Sequence, residues 1–190
     1  MKDKKPFPRA LLWGLVVLLS VLADQGTKKL VTLTMAVYER IPVIPGLFSF
    51  CYIENSGAAW GMFSGNRWVF LVVTALALIV LPVILYRYRK LPFLFGFSLS
   101  LVLGGAIGNM IDRVFHGDVL FDGAVVDFIA ADFIDFPIFN VADCCVTVGA
   151  ALMFVYLIFI DKEFFRDEKK EKKTEKPEEK PYEDDSDHAG

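Results

Sequence analysis

Cysteine and histidine are scarce. Three cysteines (Cys51, Cys144, Cys145) and two histidines (His116, His188) occur in 190 residues. An odd count with two adjacent members is no disulfide framework. The chain contains no CxxC pair and no HExxH, so neither a dedicated zinc site nor any other metal or cofactor is expected. Cys144 and Cys145 read as small apolar helix residues. An excess of positive charge is also missing: the formal net charge is −3, which removes the electrostatic footprint of a nucleic-acid binder, and no nucleic-acid partner is expected. No internal repeat is present. Charge is thin over residues 1–160 and dense over 161–190, where 8 of the 20 basic and 12 of the 23 acidic residues lie. That tail, a Lys/Glu mixture with Pro177 and Pro181, cannot bury a core and is expected to be disordered. The domain reading is therefore 1–160 as a membrane domain and 161–190 as a charged tail.

What the chain has in abundance is apolar surface. Hydrophobic residues make up 55%, above the roughly 45–50% of soluble domains. The mean hydropathy of +0.47 is diluted by the tail. A membrane-crossing helix needs about 20 apolar residues at ~1.5 Å each. Four runs qualify: Ala10 past Asp24 towards Val31, Trp68 to Tyr86, Phe93 to Ile111, and Val141 to Ile160. The first also has the shape of a signal peptide, but no small-residue cleavage site follows it, and it reads as a retained helix. Of the 20 basic residues, 15 fall in the N-tail, the loop between the second and third runs, and the C-terminal tail. Both termini are therefore expected on the cytoplasmic side. The outward loop between the first two runs alternates at Phe48, Phe50 and Tyr52 after Pro42, Pro45 and Gly46. This pattern predicts a small extracytoplasmic sheet at the membrane surface.

Ionisable groups near hydrocarbon each need a partner or a role. Asp24 and Lys28 are four apart on one helix face, and read alone they form a helix-end ion pair. Gly104 and Gly108 give a GxxxG spacing for close helix packing. Asn109 and Asp112 share the next turn of that face, with Arg113 as a counter-ion for Asp112 or an interfacial anchor. Asp127 stands among apolar residues in the loop between the third and fourth runs. Asp143 stands at the outer start of the fourth. Desolvation raises the pKa of such carboxylates, and two brought together share a proton. One can then accept a proton from water while the other, protonated, polarises a carbonyl, with no metal and no covalent intermediate. Spacing alone leaves other readings open: Asp143 as a helix cap, or intramembrane carboxylates serving as a proton relay or small transporter. Asp132 and Asp135, between the two motifs, are candidates to perturb such a pair.

Five segments, in order, carry a resemblance. They are Asp24-Gln25-Gly26-Thr27-Lys28; Asn55-Ser56-Gly57-Ala58-Ala59-Trp60-Gly61; Gly104-Gly105-Ala106-Ile107-Gly108-Asn109 with Asp112-Arg113; Val125-Val126-Asp127-Phe128; and Phe139-Asn140-Val141-Ala142-Asp143. Over about residues 10–160 the chain resembles the lipoprotein signal peptidases (signal peptidase II), aspartic membrane peptidases of bacteria. The resemblance implies an all-α polytopic membrane protein: four transmembrane helices, a small extracytoplasmic β-sheet and an outer loop arm. It implies Asp127 and Asp143 as the catalytic pair, with Asp24, Asn55, Gly57, Asn109, Asp112, Arg113 and Asn140 in support or substrate binding. The substrates it implies are diacylglyceryl-modified prolipoproteins, cleaved just before the lipidated cysteine by an activated water. That cysteine belongs to the substrate, so the chain's own cysteines need no catalytic role. The implied location is the bacterial inner membrane, with the site near its outer face and membrane lipid as a partner. Gly57, Gly61 and Gly65 would give a gating loop its pliable backbone, and Trp60, Phe63 and Trp68 would suit the interface. Oligomeric state is open, and a monomer is compatible with this reading.

Overall fold

A computed structural model describes residues 9–57, 67–87 and 91–160. The expected gating glycines Gly61 and Gly65, the interfacial Trp60 and Phe63, the basic residues Lys2, Lys4, Lys5, Arg89 and Lys90, and the 161–190 tail lie outside the described residues. The chain forms two compact units, Met1–Phe154 and Val155–Gly190. All packing described below belongs to the first.

Among the described residues, three helical runs are long and apolar enough to cross a membrane: α1 (Arg9–Thr34), α3 (Phe93–Phe115) and the run Val141–Ile160. The last consists of α4 (Val141–Val155) and a wider π-helical turn at Tyr156–Ile160. The remaining expected span is helical as α2 (Arg67–Arg87), 21 residues with Pro82 inside it. Large side chains that would be buried in a water-soluble bundle face outward here. On α1 these include Leu11, Leu15, Leu18, Leu22, Leu30 and Leu33, all exposed. Such a surface is stable only in an apolar solvent.

The helices interlock differently at their two ends. At one end Trp13, Leu85, Leu99 and Leu103 form an apolar cluster. Further along, α3 presents a glycine face. A Cβ on Gly105 would collide with the Ala142 carbonyl of α4, and one on Gly108 with the Asp24 carboxylate of α1. Glycine at these positions lets polar groups of three helices meet without intervening side chains.

A three-stranded antiparallel sheet caps this end. Its order is β1 (Arg40–Ile44), β2 (Phe48–Asn55), β3 (Val125–Ala131). The β1–β2 turn runs through Pro45 and Gly46, with Gly46 at φ +76° and Leu47 N–H donating to the Ile44 carbonyl at 3.0 Å. This matches the Pro-Gly chemistry of a type II turn. Tyr52, Val126 and Phe128 pack with Val31 near the end of α1, which docks the sheet on the bundle. The region around Asp127, expected to be loop, is strand β3. Its residues do not alternate, because they are buried on both faces, and a continuous apolar run carries no strand period.

Candidate active site

Strand β3 delivers Asp127, and the chain then returns to deliver Asp143. After Ala131 it loops back until Phe139 pairs with Ile129, through N–H to carbonyl bonds of 2.8 and 3.0 Å in both directions. That return sets Asn140 beside Asp127 and starts α4 there. Asn140 is the N-cap of α4: its Oδ1 accepts from the Asp143 N–H at 2.9 Å, and Asp143 Oδ2 accepts from the Asn140 N–H at 3.1 Å. This is the reciprocal capping-box pattern with Asp as the reaching carboxylate. The helix-cap reading of Asp143 is therefore correct as geometry, and it coexists with a place beside Asp127.

Three asparagines serve the two carboxylates. Asn55 Nδ2 donates to Asp127 Oδ2 at 2.8 Å, Asn140 Nδ2 to Asp127 Oδ1 at 2.6 Å, and Asn109 Nδ2 to Asp143 Oδ1 at 2.8 Å. Each amide has its oxygen held by a donor. Gly57 N–H holds Asn55 Oδ1, Asp143 N–H holds Asn140 Oδ1, and Lys28 Nζ holds Asn109 Oδ1. Backbone N–H and ammonium groups only donate, so the amide nitrogens must face the carboxylates. Asn140 touches both carboxylates, through its side chain and its backbone.

Behind the asparagines lies a buried ion cluster. Lys28 Nζ is 2.9 Å from Asp24 Oδ2 and 2.8 Å from Asp112 Oδ2, and the three residues are only 3%, 0% and 4% exposed. Gln25 Nε2 donates to both carboxylates, at 3.1 and 2.9 Å. The cluster also grips backbone: Asp24 accepts from the Ala142 N–H at 2.9 Å, and Asp112 from the Val126 N–H at 3.1 Å. Asp24 thus anchors the first turn of α4, and Asp112 the residue before Asp127. The expected Asp24–Lys28 ion pair forms, but it is buried within this network and does not stand alone at a helix end. Lys28 also serves Asp112 as a counter-ion, because α3 packs that carboxylate against α1. Arg113 donates to the Asn109 carbonyl at 3.1 Å and reaches the cavity wall.

The cavity measures ≈ 630 Å³. Asn55, Gly57, Asn109, Arg113, Asp127 and Asp143 all line it, with an apolar wall from Phe136–Phe139 and from Cys144, Thr147 and Val148 of α4. Burial pushes the Asp127 carboxyl up to about 7; the Asp143 charge adds to this, while the bonds from Asn55 and Asn140 and the charge of Lys28 oppose it. Asp132 is elsewhere. It binds Arg40 and Ser49, which hold its carboxyl below the usual range. At ~3.3 Å per strand residue it lies roughly 15 Å from Asp127. Among the described residues no group of three or more His, Cys, Asp or Glu is placed to hold a metal ion. All nine residues singled out in the sequence fall in the cavity wall or the network behind it. Lys28 and Gln25 are network members that sequence reasoning undervalued; their signal was a cation and an amide within four residues of an intramembrane Asp.

Residues 16–159 match the family described as Signal peptidase (SPase) II. The chain is 40% identical over 155 residues to a lipoprotein signal peptidase of Lactobacillus gasseri, covering 82% of this chain and 97% of the relative. It is 43% identical over 150 residues to a lipoprotein signal peptidase of Symbiobacterium thermophilum, covering 78% and 95%. Among solved structures it is similar to a bacterial membrane enzyme determined by the in meso method at 2.3 Å, with a TM-score of 0.67, 32% identity, and coverage of 96% of this chain and 99% of the other.

Proposed function

The chain belongs to the signal peptidase II family, a multi-pass bacterial membrane peptidase that removes signal peptides from prolipoproteins, and we propose that it does so as an aspartic endopeptidase through Asp127 and Asp143. One observation carries the reading: Asn140 bonds both carboxylates on the wall of one cavity. With Asp127 at about 7, the pair holds a single shared proton near neutral pH. The ionised member takes a proton from a water seated between them, and the protonated member hydrogen-bonds the scissile carbonyl. The oxygen of that water adds to the carbonyl carbon. Collapse of the tetrahedral intermediate breaks the C–N bond, and the pair returns a proton to the leaving amine. The asparagines keep the carboxylates aimed without adding charge. Arg113 at the rim, Gly57 and the apolar wall on α4 shape the substrate path.

The substrate is cleaved just before its diacylglyceryl-modified cysteine, and its acyl chains and signal helix enter from lipid. Four crossings with both termini in the cytoplasm place the sheet and the cavity at the outer face, supported by the 15 basic residues this puts inside. Among the described residues, clustering of Asp24, Asp112, Asp127 and Asp143 at one end of the bundle leaves no row of carboxylates for a proton relay across it. The test is direct: purified protein is incubated with a diacylglyceryl-modified prolipoprotein, and cleavage is followed by gel shift for the natural sequence, Asp127→Asn and Asp143→Asn. Full cleavage by either variant sinks the aspartic mechanism.

A further inference from the structure

We infer that Lys28 is a positioning residue for the cleavage reaction, locking the Asn109 amide so that its NH₂ group faces Asp143. The inference rests on the carboxylate pair proposed above. Lys28 is not among the described residues lining the cavity and is 3% exposed, so it acts through a neighbour.

An ammonium has three donors and no acceptor. All three are used, on Asp24 Oδ2 at 2.9 Å, Asp112 Oδ2 at 2.8 Å and Asn109 Oδ1 at 2.9 Å. The ammonium cannot turn away without abandoning a buried carboxylate. Its third donor therefore fixes Asn109 Oδ1, which also accepts from Asn140 Nδ2 at 3.0 Å. Only then does Asn109 Nδ2 point at Asp143 Oδ1, 2.8 Å away. The flipped amide would press NH₂ against an ammonium and a carbonyl oxygen against a carboxylate, and both contacts are repulsive. Asp24 and Asp112 hold the cation; Lys28 converts their charge into a rule about which way a neutral amide faces. The Asn109 donor holds the Asp143 carboxylate in place for the proton transfers proposed above.

The experiment compares Lys28→Gln, Lys28→Arg and the exposed neighbour control Lys29→Gln, with Asp127→Asn and Asp143→Asn in parallel. Each is purified in detergent, its folded fraction measured, and kcat, KM and the pH profile determined on a lipid-modified prolipoprotein. A glutamine can donate or accept, so it frees the amide. Lys28→Gln is expected to lower kcat per folded molecule by about tenfold or more, with KM changed less than about threefold, as for lost alignment. Its acid limb is expected to move to higher pH. Lys28→Arg keeps a donor-only cation and should keep the limb in place; Lys29→Gln should match the natural sequence. If Lys28→Gln yields too little folded protein, Asp24→Asn/Lys28→Met, which removes opposite charges together, must show the same kcat loss and limb shift. Unchanged kcat and pH profile per folded molecule overturn the inference, as does an acid limb that shifts equally in Lys28→Arg and Lys28→Gln. If Lys28→Gln is unaffected while the Asp variants are dead, the positioning role alone falls. If an Asp variant stays active, the carboxylate pair falls first and this role with it.

Discussion

Strand β3 has an aspartate near one end and another just past the other, and their surroundings are opposites. Asp127 is 2% exposed and is met by neutral amides. Asp132, one residue beyond the strand, is met by the Arg40 guanidinium and the Ser49 hydroxyl. Burial lifts Asp127 to about 7, whereas the hydroxyl and the cation hold Asp132 below the ordinary carboxylate range. The first can exchange a proton near neutral pH and the second cannot. Residue type is the same, so the difference lies in desolvation with neutral donors against solvation with a cation. A proton-transfer site is made here by burial among neutral donors. Lys28, in the network behind the asparagines, bonds Asp24, Asp112 and the Asn109 amide.

The largest expected effect breaks the comparison at its buried end. Asp127→Asn and Asp143→Asn should each reduce cleavage by roughly 10³-fold or more, since an amide carries out neither proton transfer. The double variant should be little worse than either single one, because groups acting as a unit are not additive. Single-turnover cleavage of a lipid-modified prolipoprotein measures all three. Losses that multiply would show two independent roles in place of one shared proton.

The sequence made parts of this arrangement legible and hid others for physical reasons. Helix periodicity is irrelevant in a run apolar on every face, so length alone located α1, α3 and the run from Val141. Alternation at Phe48, Phe50 and Tyr52 exposed β2, and Pro45-Gly46 its turn. β3 was hidden, because a strand buried on both faces has no alternation. From the sequence Asp127 therefore reads as a loop residue, though its apolar neighbours mark it as unusual. Asp24 and Lys28 were visible as an i,i+4 pair, but Asp112 reaches them only after α3 packs its glycine face against α1. No spacing rule reports that contact. The Asn140–Asp143 capping box lay in plain view as N-x-x-D.

Next in size is stability. The folded-state value of Asp127 is raised above its unfolded value, so the folded state binds the extra proton between about pH 4 and 7. Stability from this group is present below about pH 4 and is lost as pH rises through about 7; the shift corresponds to roughly 4 kcal/mol at most. Asp127→Asn removes that loss. In detergent, its thermal unfolding midpoint should exceed that of the natural sequence at pH 8 and approach it at pH 4. A gap that does not grow with pH would mean that Asp127 is not held protonated by burial.

A smaller effect sharpens the buried end. Asn55 donates to Asp127, which favours the charged form and opposes the effect of burial. Asn55→Ala should therefore move the alkaline limb of kcat/KM to still higher pH, while lowering the maximum by about tenfold through poorer aim. A limb that moved down would show that Asn55 contacts the protonated form in the working enzyme.

The smallest effect is expected at the exposed end. Asp132 ties the sheet margin together, reaching Arg40 of β1 and Ser49 of β2 by its side chain and the Leu47 carbonyl by its N–H at 3.0 Å. Arg40 is about half exposed, so water and salt screen the pair. Its lowered value contributes stability above the unfolded value near pH 4, lost only as pH falls through the folded one. At neutral pH, Asp132→Asn keeps the hydroxyl contact and forfeits a screened attraction. Cleavage should stay within about threefold, and neither limb of the pH profile should move, because roughly 15 Å exceeds the ~8 Å screening length at physiological salt. The measurement is the full pH profile at low and at physiological salt. A limb that moves at low salt alone would reveal long-range coupling to Asp127. One that moves at both would place Asp132 within the electrostatics of the pair, and the two ends of β3 would no longer be separate environments.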